Sequence, residues 1–148
     1  MHLTADLDGD GNDETVTFYW SQASFKLIVS KFDRGVYLTI PEEFHAAMET
    51  SSTIHVVIKD VTKDGLPEIL VASDGEGADL NVAIWGFVGD AFNPPQMHSD
   101  EDFKLLDVIN GQSSGSVREG GTIVMPCGSQ GLYFEYRWKD GAFQRTEP

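Results

Sequence analysis

Hydrophobic and polar residues alternate along much of the chain with a period of two, which is typical of half-buried β-strands. Residues 14–20 show it first, with Val16, Phe18 and Trp20 on one face and polar or tyrosine side chains on the other. Further strands are predicted to begin near Phe25, Val36, Thr53, Glu68, Leu80, Phe103, Thr122 and Gly131. The pattern therefore predicts a mainly β protein with small antiparallel sheets.

Three segments need a separate interpretation. Residues 41–50 (PEEFHAAMET) predict one short helix, because Pro41 suits a first helical position and acidic side chains favour that end of the helix dipole. Residues 103–111 fit a strand or a helix, and their position among strands favours a strand. Asp140 and Gly141 are typical of the tip of a β-hairpin. A chain of 148 residues suits one domain, residues 1–148, with a substantial core.

An acidic segment comes directly before the first of these strands and is repeated later. ADLDGDGNDETVTFYW and KDVTKDGLPEILVAS share an Asp-rich turn, a glycine, a glutamate and an apolar strand, and the copies start at Asp6 and Asp60. A third copy would start near residue 114, where SGSVREGGTIVM lacks every acidic position. We therefore expect two propeller-blade-like repeat units, about residues 4–52 and 53–110, followed by a C-terminal hairpin region at 111–148.

The spacing of the acidic residues suits calcium, which takes six to eight oxygen ligands and can receive most of them from one short loop. The predicted ligands are Asp6, Asp8, Asp10, Asn12 and Glu14 in the first loop and Asp60, Thr62, Asp64, Leu66 and Glu68 in the second. Asn12 and Leu66 would contribute main-chain carbonyls, and Asp13 is expected to face outward. The second loop is expected to bind more weakly, because Thr62 replaces a carboxylate and Lys63 adds positive charge. For each loop a solvated turn without metal is the alternative.

These two loops resemble those of FG-GAP/VCBS-type repeats, which occur in integrin-like β-propellers and many bacterial extracellular proteins. The first loop matches the motif Asp-x-Asp-x-Asp-Gly-x-x-[Asp/Glu] fully, and the second departs from it at Thr62. The resemblance implies calcium at a hairpin and a blade strand after it. The Phe-Gly-Gly-Ala-Pro elements that name the family are absent, and the chain is too short for a closed propeller of six or seven blades.

The net charge of −14 argues against nucleic acid and anionic membrane surfaces as partners. The single cysteine, Cys127, excludes an intramolecular disulfide, and no apolar run is long enough to span a membrane. No signal peptide precedes the acidic segment, so we expect a longer precursor. Calcium sites of this kind suit an extracellular, cell-surface or periplasmic location.

The sequence thus favours a non-enzymatic calcium-binding module that recognises a protein or a carbohydrate. The alternative is a secreted or periplasmic inhibitor of a basic enzyme, with Ser113, Ser114, Gly115 and Ser116 in an inserting loop. A hydrolase is disfavoured, because the G-x-S-x-G pattern at residues 111–115 is followed neither by a helix nor by a later histidine. Aromatic residues at 133–143 alternate across a predicted strand and are expected to be mostly core, with a sugar- or protein-binding face as the other interpretation.

Overall fold

The fold consists of antiparallel strands. The computed structural model describes residues 2–21, 24–31, 34–38, 51–75, 80–88, 102–111, 116–117, 121–126 and 133–146. In these ranges the chain forms twelve strands: β1 (His2–Ala5), β2 (Glu14–Ser21), β3 (Ser24–Lys31), β4 (Arg34–Leu38), β5 (Ser51–Lys59), β6 (Glu68–Gly75), β7 (Leu80–Phe87), β8 (Phe103–Gly111), β9 (Ser116–Val117), β10 (Ile123–Pro126), β11 (Tyr133–Lys139) and β12 (Ala142–Thr146).

The strands form three sheets of four, each a simple antiparallel meander in chain order. Sheet A contains β1–β4, sheet B contains β5–β8 and sheet C contains β9–β12. The predicted mainly β fold is confirmed, and the segment at 103–111 is a strand. The C-terminal segment forms a third four-stranded sheet beyond the two predicted repeat units. The predicted helix at 41–50 lies outside the described residues.

Sheet B lies between the other two sheets, because its two faces contribute to two different hydrophobic clusters. On β6, Ile69 and Val71 pack with sheet A, whereas Leu70 packs with sheet C. On β7, Trp85 packs with sheet A and Ile84 packs with sheet C. Burial on both faces explains why the two central strands of sheet B, β6 and β7, contain continuous apolar runs rather than an alternation.

The hairpin connections between the first two strands of each sheet determine where the acidic segments lie. The ladder pair Ala5↔Glu14 encloses residues 6–13 in sheet A, and Lys59↔Glu68 encloses residues 60–67 in sheet B. In sheet C the pair Val117↔Ile123 encloses only residues 118–122. We call these connections, with the glutamates that close the first two, loop 1 (6–14), loop 2 (60–68) and loop 3 (118–122).

Candidate metal centre in two acidic loops

Loops 1 and 2 have the same hydrogen-bonded frame. Both carboxylate oxygens of Asp6 accept backbone N–H bonds, from Gly9 at 2.9 Å and from Gly11 at 3.0 Å. Asp60 does the same with Lys63 at 2.8 Å and Gly65 at 3.0 Å. The first aspartate of each repeat therefore braces its loop in the same way.

A glycine in the left-handed region turns each loop back towards its second strand. Gly11 has φ +88° and Gly65 has φ +93°, a backbone conformation that favours glycine because it has no Cβ. The aspartate just before each glycine accepts a bond from the second residue after itself: Asp10 from the N–H of Asn12 at 2.8 Å, and Asp64 from that of Leu66 at 2.9 Å. The sequence repeat is therefore also a repeat of backbone geometry.

A buried glutamate, the first residue of the second strand, stands at the end of loop 1 and of loop 2. Glu14 is fully buried and accepts the backbone N–H of Leu7. Glu68 is 3% exposed and accepts the N–H groups of Val61 at 2.8 Å and Thr62 at 2.9 Å with a single carboxylate oxygen. In loop 3 the equivalent ladder position holds Ile123, which is buried in the core between sheets B and C.

These frames gather carboxylates closely enough to share one cation. Asp6, Asp8, Asp10 and Glu14 offer oxygens that all lie within 4.8 Å of one another, and Asp60, Asp64 and Glu68 do the same. The acidic ligands predicted from the sequence are therefore brought together in both loops. Asp13 is exposed, as expected for the residue predicted to face outward.

Loop 1 already contains a cation from the chain itself. The ammonium Nζ of Lys31, at the end of β3, lies 2.7 Å from a carboxylate oxygen of Asp8 and 2.7 Å from one of Glu14, and it also contacts Asp10. The Lys31 side chain is only 1% exposed. An ammonium group carries three N–H donors, and three carboxylates surround it here.

Lys31 and Asp10 hold each other in their ionised forms, whereas burial raises the pKa of Glu14 although its hydrogen bonds to Lys31 and Leu7 oppose the shift. Burial alone would lower the pKa of Lys31, but the hydrogen bonds to Asp10, Asp8 and Glu14 outweigh it and raise that pKa above its ordinary value. Burial likewise opposes ionisation of Asp10, but the hydrogen bond from Lys31 leads the effects that lower its pKa. The structure thus places a charged ammonium where the sequence predicted a metal ion.

Loop 2 has no such group, because the position equivalent to Lys31 is a glycine. Lys31 comes one residue after the ladder pair Thr15↔Ser30, and Gly86 comes one residue after the corresponding pair Ile69↔Trp85. Lys63 lies within the loop but is exposed. Among the described residues, no ion pair involves an acidic side chain of loop 2.

The carboxylates of loop 2 therefore lack a counter-charge among the described residues. Burial first, and repulsion from Asp64 in addition, raise the pKa of Glu68 to about 7, although its two backbone hydrogen bonds oppose the shift. The buried hydroxyl of Thr62 also opposes the shift through its interaction with Glu68, although it makes no hydrogen bond of standard geometry among the described residues. Acidic oxygens without a counter-charge, together with a hydroxyl oxygen, are ligands of the kind that suit a hard divalent cation.

The loops of neighbouring sheets touch one another. A Cβ atom on Gly9 of loop 1 would lie 3.1 Å from a methyl carbon of Leu66 in loop 2. A Cβ on Gly121, in loop 3, would lie 2.5 Å from the carbonyl oxygen of Asp60. Loop 2 therefore lies between Gly9 of loop 1 and Gly121 of loop 3, and Asp60, its first predicted ligand, packs directly against Gly121.

The other predicted sites have mixed outcomes. Ser113, Ser114 and Gly115 lie outside the described residues, and Ser116 is the first residue of β9. Two aromatic residues of the C-terminal strands, Tyr136 and Phe143, are partly buried against the core between sheets B and C. Among the side chains that the structure describes, the large exposed aromatic ones lie on sheet A, where Tyr19 is 54% and Tyr37 is 60% exposed.

Lys31 is the site residue that sequence reasoning missed, although a signal was present. On β3, Leu27, Val29 and Lys31 share one face by the period of two, and the first two are completely buried. A lysine in register with core positions requires a buried acidic partner, since a buried charge is costly unless it is paired. The only acidic cluster next to this sheet is the one in loop 1, among the described residues.

Comparison with known proteins gives no relative: no protein-family model, no curated protein and no solved structure matches the chain. Among the described residues, no helix is long and apolar enough to cross a membrane.

Proposed function

We propose that this protein is a non-enzymatic, calcium-binding recognition module of a secreted or surface protein, and that loop 2 is its calcium site. The observation that carries the proposal is the acidic trio of loop 2, whose oxygens converge within 4.8 Å without an ion pair among the described residues. Asp60, Asp64 and Glu68 would supply carboxylates, and Thr62 its hydroxyl. Bound calcium would supply the positive charge that these groups lack.

The sequence favoured loop 1, and calcium there stays a prediction that the geometry does not support as well. Calcium lies about 2.3–2.6 Å from its oxygen ligands, so it could not share the Asp8 and Glu14 carboxylates with an ammonium already 2.7 Å from each. Lys31 would have to leave the loop first.

The recognition part of the proposal rests on chemistry that suits binding rather than catalysis. Exposed tyrosines supply large contact area at low entropic cost and are frequent in binding surfaces. Tyr37 on β4 is paired with Ile28 on β3, and Tyr19 lies on β2, which pairs with the other edge of β3. The inhibitor alternative placed its contact at residues 113–116, and no observation on the described residues favours it.

Calcium is expected to stabilise the wild-type protein through loop 2. With a dissociation constant of about 0.1–1 mM, typical of extracellular modules, 10 mM calcium should add roughly 1.4–2.7 kcal/mol to the free energy of unfolding. The melting temperature should then rise by about 5 °C relative to EDTA. The Asp60→Asn, Asp64→Asn double variant should lose this rise, as measured by calorimetry or fluorescence.

Two controls make the measurement specific to loop 2. Asp13→Asn removes one exposed carboxylate from loop 1 and should leave the calcium response unchanged. Magnesium at the same concentration should give a smaller rise, because it demands a tighter octahedral site. A wild-type melting temperature insensitive to calcium, or a response that survives in the double variant, would contradict the assignment.

A further inference from the structure

The two acidic loops share a frame but differ at one ladder position. Lys31 stands beside the glutamate of loop 1, and Gly86 beside that of loop 2. The difference is large in charge: a buried ammonium contacts three carboxylates in loop 1, whereas loop 2 has no ion pair among the described residues.

We propose that Lys31 is the resident cation of loop 1, occupying the place of a metal ion among Asp8, Asp10 and Glu14, so that this loop is closed without metal and is a latent divalent-cation site. Of the two acidic clusters among the described residues, loop 2 is then the one left for a divalent ion. This inference does not rest on loop 2 binding calcium, since it concerns what loop 1 binds when Lys31 is absent.

The contacts of the ammonium support this role. Its partners come from the third, fifth and ninth positions of the loop, which are the side-chain positions that a calcium ion would use. Asp6, at the first position, makes its two hydrogen bonds to loop N–H groups instead. The ammonium group thus lies inside the ligand set and does not merely neutralise the loop from outside.

The register of β3 explains how the lysine reaches this point. Leu27 and Val29 fix one face of β3 in the core between sheets A and B, and Lys31 is the next residue on that face. The aliphatic part of its side chain continues the apolar row of Leu27 and Val29, and its ammonium group extends into loop 1, which connects β1 and β2 of the same sheet. Moving the lysine out would therefore bring a buried, triply paired group into water and leave three close carboxylates.

The test is to count calcium ions bound per chain by isothermal titration calorimetry for the wild type and for Lys31→Met. Methionine keeps the apolar stem and removes the charge. We expect Lys31→Met to bind one more calcium ion than the wild type, whatever the wild-type number is. If the loop 2 assignment is wrong, the wild type lacks the loop 2 ion but Lys31→Met still binds one ion more than the wild type, so the two proposals fail separately.

Stability gives a second readout on the same variant. In EDTA, Lys31→Met should lower the melting temperature by about 10 °C, because three close carboxylates lose their counter-charge, and calcium should restore most of the loss. Lys26→Met is the matched control: Lys26 is exposed on the same strand, and its replacement should change neither the stability nor the number of bound ions.

Lysine labelling tests the proposal on the wild type, even if Lys31→Met does not fold. Reductive methylation followed by peptide mass spectrometry should modify the exposed Lys26 and Lys63 and spare Lys31, with or without 10 mM calcium. Protection of Lys31 in both conditions supports the resident cation. Calcium-dependent labelling of Lys31, or a folded Lys31→Met variant that binds no additional calcium, would overturn the proposal.

Discussion

Replacing Gly121 with alanine is expected to lower the free energy of unfolding by about 2–5 kcal/mol, which is large for the addition of one methyl group. Gly121 has φ +85°, where an L-residue costs about 1–2 kcal/mol. The new Cβ would also lie 2.5 Å from the carbonyl oxygen of Asp60, and relieving that overlap should cost about 1–3 kcal/mol more. Urea denaturation in EDTA would measure the loss.

The hairpin tip provides a matched control for the backbone strain. Gly141 has φ +83°, but a Cβ there would meet no atom within 4 Å. Gly141→Ala should therefore cost only the conformational part, about 1–2 kcal/mol. Equal losses for the two variants would show that the contact between Gly121 and Asp60 does not hold sheet C against loop 2.

Gly121→Ala should also affect the proposed calcium site. Relieving the overlap requires movement of the Asp60 backbone or of loop 3, because a carbonyl oxygen cannot rotate away as a side chain can. Asp60 is the first predicted ligand of loop 2, so Gly121→Ala should also reduce the calcium-induced rise in melting temperature. Gly141→Ala should leave that rise intact.

The strands were predictable because their alternation and their turn residues are local features. Residues 14–20 needed only the period of two, and Asp140 and Gly141 both adopt positive φ at a hairpin tip, as their sequence suggests. Residues 68–73 predict a strand, but the reason for their continuous apolar character, burial on both faces, follows only from the packing of the three sheets. Ile69 and Leu70 face different cores.

Sheet C was harder to predict, because it has lost the sequence signal of the other two. Its first strand, β9, contains only Ser116 and Val117, too few residues to show a period. Loop 3 is shorter than the acidic loops, and Ile123 replaces the buried glutamate. Sheet C thus has the same arrangement of strands as sheets A and B, but it lacks the acidic loop residues that identify the other two repeats in the sequence.

The acidic ligands were predictable from spacing, whereas the lysine among them was not. Asp8, Asp10 and Glu14 lie within one short loop, so local geometry brings them together. Lys31 is 21 residues from Asp10 and 17 from Glu14, and its position depends on the register between β2 and β3. A ladder shifted by one residue would have placed this lysine on the opposite face of the sheet.

The two buried glutamates give a second, sharply contrasted expectation, because the same substitution should act in opposite directions. In EDTA at pH 8, Glu14→Gln should lower the free energy of unfolding by about 3 kcal/mol. One oxygen of Glu14 accepts from Leu7 and the other accepts from Lys31. Glutamine can supply only one acceptor, so its NH₂ group must face one of these two donors.

Glu68→Gln should instead raise the free energy of unfolding at pH 8, by roughly 1–3 kcal/mol. One oxygen of Glu68 accepts both backbone bonds, and glutamine keeps such an oxygen. The pKa of Glu68 is about 7 in the folded protein, against an ordinary value of 4.5. The folded state therefore holds its proton more tightly, and this contribution to stability is lost as pH rises from about 4.5 through 7.

The pH dependence separates this cause from a general effect of the substitution. At pH 5 the carboxyl of Glu68 is largely protonated in the folded protein, so the advantage of glutamine should be much smaller there than at pH 8. The comparison requires denaturant unfolding of the wild type and both variants at the two pH values in EDTA. A gain for Glu68→Gln that is equal at both pH values, or a loss equal to that of Glu14→Gln, would contradict the distinction. The distinction is that the buried glutamate of loop 1 has a counter-charge supplied by the chain, whereas that of loop 2 requires a proton or a metal ion.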